Sequence, residues 1–345
     1  MGRTVAVVVP GGVVDPLRPS GGNTYDRRLC RELSAAGWAV DLRLVPGDWP
    51  RADSESRHHL AAVLAEAPDG ASVLLDGLVA VAAPDVVVPA GRRLRTVVIA
   101  HMPLGHEDEG AVLGSATGVV APSDWARRWL LSHHRLDPAR VHVAAPGVDP
   151  APTAAGSREG GCLLTVGAVV PAKGHDLLVS ALTEVVDRCW RCVCVGALGR
   201  DSSYVTRLQA DIREAGLGHR VALAGPLTGR RLDAAYAAAD VLVHPSRAET
   251  YGMVVTEALA RGLPVLACEV GGVPEALGTT ASGRRPGVLT PAGDAAALAT
   301  SLRSWLTDAE ARRQLRQAAL QRRGELAGWA ETADRVARVL EDVAA

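Results

Sequence analysis

The sequence predicts an α/β protein of two doubly wound parallel sheets, and three observations carry that reading. Strand-like apolar runs recur along the chain with helical stretches between them, the alternation from which parallel sheets are built. At 345 residues the chain is long for one α/β core, so two domains with separate cores are expected. A stretch rich in Pro, Gly, Ala and Ser, APTAAGSREGG at Ala151 to Gly161, divides the pattern and reads as an interdomain linker.

In chain order, the opening MGRTVAVVVPGG has a short apolar run and no cleavage-like site, so it is expected to be a strand and a turn rather than a signal peptide. The strands expected in the first half are Thr4 to Val9, Val40 to Leu44, Ser72 to Leu75, Thr96 to Ala100, Gly118 to Ala121 and Val141 to Ala144, with a helix over Tyr25 to Ala36. The second half repeats the logic: Cys162 to Val166, Arg191 to Val195, Val221 to Ala224, Val241 to His244, Pro264 to Ala267 and Gly287 to Thr290. Helices are expected over Asp176 to Val186 and Leu232 to Ala238. From Asp294 onward the chain reads as helical and charged on one face, with Trp305 and Trp329 as anchors. This gives a domain over residues 1–150, a linker over 151–161, a second domain over 162–329 and a last helix over 330–345. Two such sheets would face each other across a cleft, with ligands at the carboxyl ends of their strands.

Composition excludes several function classes. Net charge is −1, and no basic patch interleaved with aromatics argues for nucleic acid. The most apolar stretch, Ala71 to Ala90, is broken by Asp76, Pro84 and Asp85, so no membrane span is expected and the cytoplasm is the expected compartment. Phenylalanine is absent, which leaves cores of Val, Leu and Ala. The cysteines Cys30, Cys162, Cys189, Cys192, Cys194 and Cys268 read as reduced thiols. Cys189, Cys192 and Cys194 suggest zinc, but RCVCVG looks like a buried strand and no second ligand pair follows at zinc-site spacing. No Ser/His/Asp nucleophile set and no metal-binding Asp-x-Asp pair appears.

The chemistry concentrates in Val241 to Glu275, VLVHPSRAETYGMVVTEALARGLPVLACEVGGVPE. Val241 to Val243 end a buried strand, His244-Pro245-Ser246 breaks it, and MVVTEALARG has helical spacing closed by Gly262. Glu249 is therefore placed on a loop at the carboxyl edge of the sheet. Glu257 falls one to two turns into a helix whose free N–H groups and positive dipole end would suit a diphosphate. Gly252 would let backbone approach a ligand closely. Two carboxylates that each accept hydroxyl hydrogen bonds suit a polyol. Taken singly, each glutamate also fits a solvated helix or loop position.

The ordered set PSRAETYGMVVTEALARGLPV followed by GGVPE, with Glu249 and Glu257 in the spacing E-x7-E, closely resembles the donor-site signature of retaining family 4 glycosyltransferases with the GT-B fold. The resemblance runs over nearly the whole chain and is most specific in the second half. It implies that Glu249 contacts the transferred sugar and Glu257 the nucleotide ribose. It also implies donor contacts from Tyr251, Gly252, Met253 and Val254, with Leu227 of Gly225-Pro226-Leu227 near the base. In TVGAVVPAKGHD, Thr165 to Asp176, Lys173 would neutralise the diphosphate and the leaving group, a charge-assisted bond of about 1.5 to 3 kcal/mol. Ala168 stands where that family places an arginine, so Arg247 or Arg200 would have to substitute, or leaving-group stabilisation is weaker.

The first half carries the acceptor side of this expectation. PGGVVDPLRPSGGNTY, Pro10 to Tyr25, reads as a glycine-rich loop that could offer N–H groups to phosphate and equally as a surface turn. The resemblance makes Gly21 and Gly22 diphosphate or acceptor contacts and places Asn23 and Tyr25 beside the acceptor. His101 ends the strand of RTVVIAHMPLG and becomes a sugar-orienting hydrogen-bond donor. Glu107, with Asp108 and Glu109 in a loop, fits the lining of the acceptor pocket and fits a solvated acidic turn better, and the loops Val45 to Arg57 and Met102 to Leu113 are expected to set acceptor specificity. The resemblance implies no cofactor and no metal, with a UDP-sugar or GDP-sugar as co-substrate; no hydrophobic-basic helix argues for a membrane, so a small soluble acceptor is expected. A nucleotide-sugar-binding protein that has lost catalysis is the alternative that Ala168 supports, and an epimerase is a third.

Overall fold

Valine- and leucine-rich runs form two six-stranded parallel sheets in this computed structural model, which describes residues 3–15, 19–105 and 107–344. One unit holds the described residues to Asp15, Gly21–Gly147 and Ala327 onward; the other holds Pro19, Ser20 and Val148–Leu326.

The first unit runs β1 (Thr4–Pro10), a 3-10 turn (Gly11–Val14), α1 (Gly21–Ala35), β2 (Ala39–Val45), α2 (Ser54–Glu66), β3 (Ser72–Asp76), α3 (Gly77–Val81) and α4 (Pro84–Ala90). It continues through β4 (Arg95–Ile99), α5 (Glu107–Ser115), β5 (Gly118–Ala121), α6 (Asp124–His133) and β6 (Val141–Val143). The sheet order is β2-β1-β3-β4-β5-β6. The second unit runs β7 (Cys162–Val166), a 3-10 turn (Pro171–Lys173), α7 (His175–Thr183), β8 (Arg191–Val195), α8 (Ser202–Glu214), β9 (Val221–Gly225) and α9 (Gly229–Ala237). It ends with β10 (Val241–His244), α10 (Met253–Leu259), β11 (Val265–Cys268), α11 (Val273–Leu277), β12 (Gly287–Thr290), α12 (Ala295–Thr307) and α13 (Ala309–Arg323), in the sheet order β12-β11-β10-β7-β8-β9. The last helix, α14 (Trp329–Ala344), packs on α1 and on strands β3 to β5 of the first unit.

The strands are where the apolar runs placed them because helices cover both faces of each sheet. β5, β10 and β11 are buried at every position, the continuous pattern of a doubly covered parallel strand. Helix starts follow short polar caps: Asp53, Ser123, Asp201, Asp294 and Asp308 each accept a backbone N–H from the first turn of α2, α6, α8, α12 and α13. Ala151 to Gly161 is tied to the second unit: buried Asp240 accepts hydrogen bonds from Ser157 and from the N–H of Cys162, and Ala154 donates to the Arg261 carbonyl. No helix among the described residues is long and apolar enough to cross a membrane.

Several local expectations change. Gly21 and Gly22 do not lie in a loop; they form the first turn of α1, which begins four residues before the expected Tyr25. Glu107, Asp108 and Glu109 are the first turn of α5 rather than a loop, where three acids complement the helix dipole. α7 stops at Thr183 instead of Val186, as the Val185 carbonyl turns to accept the indole N–H of Trp190 at 2.8 Å. Met1, Gly2, Pro16, Leu17, Arg18, His106 and Ala345, which belong to expected segments, lie outside the described residues.

Candidate functional site

Both sheets reverse their winding once, and the crevice outside the strand ends at such a reversal is where open α/β sheets bind ligands. In the second sheet the reversal falls between the neighbours β7 and β10; in the first it falls between β1 and β3. The segments that follow β7, β10 and β1 carry Lys173, Glu249 and Gly22 with Asp26, and Asp76 is the last residue of β3.

In the second unit Lys173 closes the turn after β7, and its Nζ lies 2.5 Å from Oε2 of Glu249, on the loop after β10. His244, the last residue of β10, brings Nε2 to 3.4 Å of the same oxygen. Burial pushes the Glu249 carboxyl up, yet the Lys173 charge, with His244 close by, outweighs it and holds the group at about 2. Glu249 is therefore an ionised acceptor at any physiological pH. Its contribution to stability is present above the ordinary carboxylate range and is lost as pH falls towards 2. Beneath it, His175 is buried with neither ring nitrogen hydrogen-bonded, and burial lowers its pKa to about 4, so it stays neutral.

Two glycines make this geometry possible. Gly174, at φ +67°, caps α7, and a Cβ there would sit 2.0 Å from the Pro245 carbonyl oxygen. Gly271, at φ +53°, brings its Cα against the Glu249 backbone, and Gly272 donates its N–H to the Glu249 carbonyl at 3.1 Å.

Glu257 sits on α10, half-buried. Tyr236 of α9, fully buried, donates its hydroxyl to Oε2 of Glu257 at 2.8 Å. The Arg261 guanidinium lies 4.4 Å over the Tyr236 ring and donates to the Glu257 carbonyl and to Asp233. Burial raises the Glu257 pKa against the pull of Tyr236 and Arg261. One carboxylate oxygen is thus fixed by Tyr236, which sets the direction in which the other accepts hydroxyl donors.

In the first unit His101 follows β4 with Nε2 2.8 Å from Oδ1 of Asp26 and 3.5 Å from Oδ2 of Asp76. Asp26 and Asp76 are buried, and Asp76 Oδ1 caps α3 through the N–H groups of Leu78 and Val79 at 2.6 and 3.2 Å. Gly22 lies against the His101 ring, where a Cβ would meet Cδ2 at 3.3 Å. The three side chains place ligand-type atoms within 4.8 Å of one another, a spacing that a metal ion would also accept.

The other residues singled out by sequence fall into place less evenly. Tyr25 is not exposed to an acceptor: it is buried, donates to the Ala144 carbonyl at 2.9 Å, and packs edge-on against His101 and Trp329. Asn23 ties the start of α1 to the Gly12 carbonyl at 3.4 Å. Glu107 is exposed, and the structured acid beside it is Glu109, which accepts from the N–H groups of Leu104 and Gly105 and from His134. Leu227 packs at the rim of the second core, and Tyr251, Met253 and Val254 are half-buried around Gly252. Arg247 is engaged bidentately by Asp176, with both bonds at 2.7 Å, a pairing that holds the Asp176 carboxyl near 2 against burial. His244, Tyr236, Asp26 and Asp76 were not singled out; the one signal available was a polar residue closing an apolar strand, which His244 and Asp76 share.

Two family models match the chain: "Glycosyl transferases group 1" over residues 157–322 and "Glycosyltransferase Family 4" over residues 19–152. A D-inositol 3-phosphate glycosyltransferase of Kineococcus radiotolerans is 35% identical over 249 residues, which are 66% of this chain and 57% of that protein. D-inositol 3-phosphate glycosyltransferase 1 of Catenulispora acidiphila is 33% identical over 252 residues, 67% of this chain and 58% of that protein. The match thus spans little more than half the length of these relatives. Sucrose-phosphate synthase of Thermosynechococcus elongatus superimposes with a TM-score of 0.80 at 22% identity, covering 99% of this chain and 98% of that one. Anabaena HepE in complex with UDP and glucose gives 0.79 at 18% identity, covering 98% and 99%. At these identities the structural likeness speaks for the fold alone.

Proposed function

We propose a reaction for a chain that belongs to the family 4 glycosyltransferases of GT-B fold: transfer of a sugar, with retention, from a nucleotide-diphosphate sugar to a hydroxyl of a small soluble acceptor. The observation that carries it is the Lys173, Glu249 and His244 group at the winding reversal of the second sheet. One cation beside one ionised, partly buried carboxylate suits a diphosphate next to a sugar. A UDP-sugar is the favoured donor, since a solved structure of the same fold is a UDP-glucose complex.

In this reading the donor diphosphate competes with Glu249 for the Lys173 ammonium. Glu249 then turns to the hydroxyls of the sugar, and Glu257 accepts from the ribose. Backbone and side chains from Tyr251 to Val254, with Leu227, enclose the nucleotide. On the first unit, Gly21, Gly22, His101, Asn23 and Glu107 belong to the acceptor side of this reading. The bond from the anomeric carbon to phosphate breaks ahead of the bond to the acceptor oxygen, on the same face, and the departing phosphate oxygen takes the acceptor proton. Positioning and charge stabilisation do the catalysis, without a dedicated base or a metal ion.

Calorimetric titration with UDP and with GDP, in chelator, tests the reading. Saturable binding of one of them is expected; binding of neither by folded protein would remove it. Glu257→Ala should weaken nucleotide binding, whereas Glu249→Ala should spare it and cut donor turnover. Equal loss of UDP affinity in both variants would contradict that division. Tyr236→Phe, which leaves a buried carboxylate oxygen without its donor, should weaken UDP binding about 5- to 10-fold, corresponding to about 1 to 1.5 kcal/mol. Unchanged affinity would show that Tyr236 does not orient Glu257.

One observation favours a second reading, a nucleotide-sugar-binding protein with impaired turnover. Ala168 removes a cation, and Arg247 is already committed to Asp176. Donor hydrolysis at saturating UDP-sugar separates the two.

A further inference from the structure

His101 meets two carboxylates through one nitrogen, and that is more than a side chain needs to be held still. A histidine whose Nε2–H donates to a single carboxylate is satisfied as a neutral ring, and its Nδ1 is then a bare acceptor. In this chain Nε2 faces Asp26 at 2.8 Å and Asp76 at 3.5 Å, while no described residue hydrogen-bonds to Nδ1. Asp26 Oδ2 is buried and receives no donor from any described residue. Asp76 uses Oδ1 on the backbone of α3, which leaves Oδ2 to face Asp26 and His101. Two buried carboxylates this close do not both stay ionised beside a neutral ring.

We propose that Asp26 and Asp76 are positioning residues that keep His101 doubly protonated, so that Nδ1 presents an N–H donor outward, and that the two carboxyls share one further proton between them. His101 is then cationic and the carboxyl pair holds one proton, a cluster with no net charge that tolerates burial. The roles follow from placement. Asp26 projects from the second turn of α1, Asp76 closes β3, and Gly22 and the edge of Tyr25 wall in the ring, the latter with centroids 5.2 Å apart.

The electrostatics agree. Burial pulls the His101 pKa down, but Asp26 and then Asp76 overcome it and carry the group to about 9. Burial, then the Asp26 charge, pushes Asp76 up to about 7. The other titratable groups packed against the cluster are the Tyr25 phenol, raised by burial and by Asp26, and the Cys30 thiol, pushed up to about 12 by the same causes. Both stay neutral through the range in question. For His101 and Asp76 alike the folded pKa lies above the unfolded one. The Asp76 part is complete only below the ordinary carboxylate range and is lost as pH rises to about 7, whereas the His101 part is complete below about 6.5 and is lost as pH rises through about 9.

The link to turnover rests on the glycosyltransferase reading, but the protonation state does not, so the test reads them separately. Nitrogen-15 histidine spectra of the full chain, with His101→Gln for assignment, should show His101 as an imidazolium at pH 7.5. Its titration midpoint should lie well above the ordinary value of about 6.5. Asp76→Asn, which keeps a capping side chain, should lower that midpoint by about one pH unit, and Asp26→Asn should lower it further. In donor turnover the alkaline limb should move down in the same order, with KM for the donor little changed. A wild-type His101 that titrates near 6.5, or a midpoint that neither variant moves, overturns the proposal. So does a neutral ring that becomes cationic only after chelation, since the cluster would then be a metal site. Loss of all donor turnover with the expected spectra would sink the reaction and leave the protonation assignment standing.

Discussion

Lys173→Ala is expected to lower donor turnover roughly 10²- to 10³-fold, the loss of about 2.7 to 4 kcal/mol typical of removing one preorganised donor from a developing negative charge. The structure explains why Arg247 would not compensate. Arg247 is held in a bidentate pair by Asp176, and Ala168 offers no charge. The variant also leaves Glu249, 15% exposed, with His244 alone. Part of the loss would therefore come from a carboxylate that is no longer held ionised. A Lys173→Ala, Glu249→Gln double variant separates the two contributions, because neighbours in one network are not additive. The measurement is kcat for donor hydrolysis or transfer, with thermal unfolding as the control for folding. A loss below about fivefold would mean that Lys173 does not touch the leaving group.

Lys173 can also be tested without any turnover. It is the one lysine in the sequence; every other Lys/Arg position is arginine. Reductive methylation therefore labels this side chain and the terminal amine and nothing else. Arginine would not substitute quietly, as its planar fork cannot occupy the point-like position that an ammonium takes between a carboxylate and a diphosphate. Saturating UDP should slow labelling of Lys173 and leave the terminal amine unaffected.

Much of the scaffold was legible because physics leaves a linear trace of it. A parallel strand covered on both faces must be apolar at nearly every position, so β5, β10 and β11 stand out as Val, Leu and Ala runs with Gly118, His244 and Cys268 only at their ends. Lys173, Glu249 and Glu257 were singled out for another reason, two ordered segments of sequence that resemble a known pattern. What escaped notice is long-range. Asp26 and His101 are 75 positions apart, and nothing within the helix turn around Asp26 separates it from a solvated acid. Tyr236 looks like any aromatic on an amphipathic helix until its hydroxyl is seen on Glu257. Tyr25 misled in the opposite direction: a tyrosine beside a glycine pair reads as a ligand contact, but its hydroxyl is spent on the Ala144 carbonyl.

Gly271→Ala should be among the most damaging single-methyl additions to the second unit, for a reason the local sequence hides. At φ +53° a side chain costs about 1 to 2 kcal/mol. The new Cβ would also lie 1.7 Å from the Glu249 carbonyl oxygen, which is backbone and cannot swing aside. Relief requires the segment from Glu249 to Tyr251 to retreat, and the bond from Gly272 N–H to the Glu249 carbonyl breaks with it. A total of about 3 kcal/mol would lower the unfolding midpoint by about 6 to 12 °C for a unit of this size. Gly218→Ala is the control, since a Cβ there meets nothing within 4 Å and its midpoint should not move. The same displacement carries Glu249 away from Lys173, so UDP protection of the lysine should change in Gly271→Ala even at temperatures where the protein remains folded. Equal midpoints for the two alanine variants would show that the Glu249 loop yields freely. The second of the paired glycines after β11 would then be the one that matters, with its own Cβ aimed 2.2 Å from the Thr250 carbonyl oxygen.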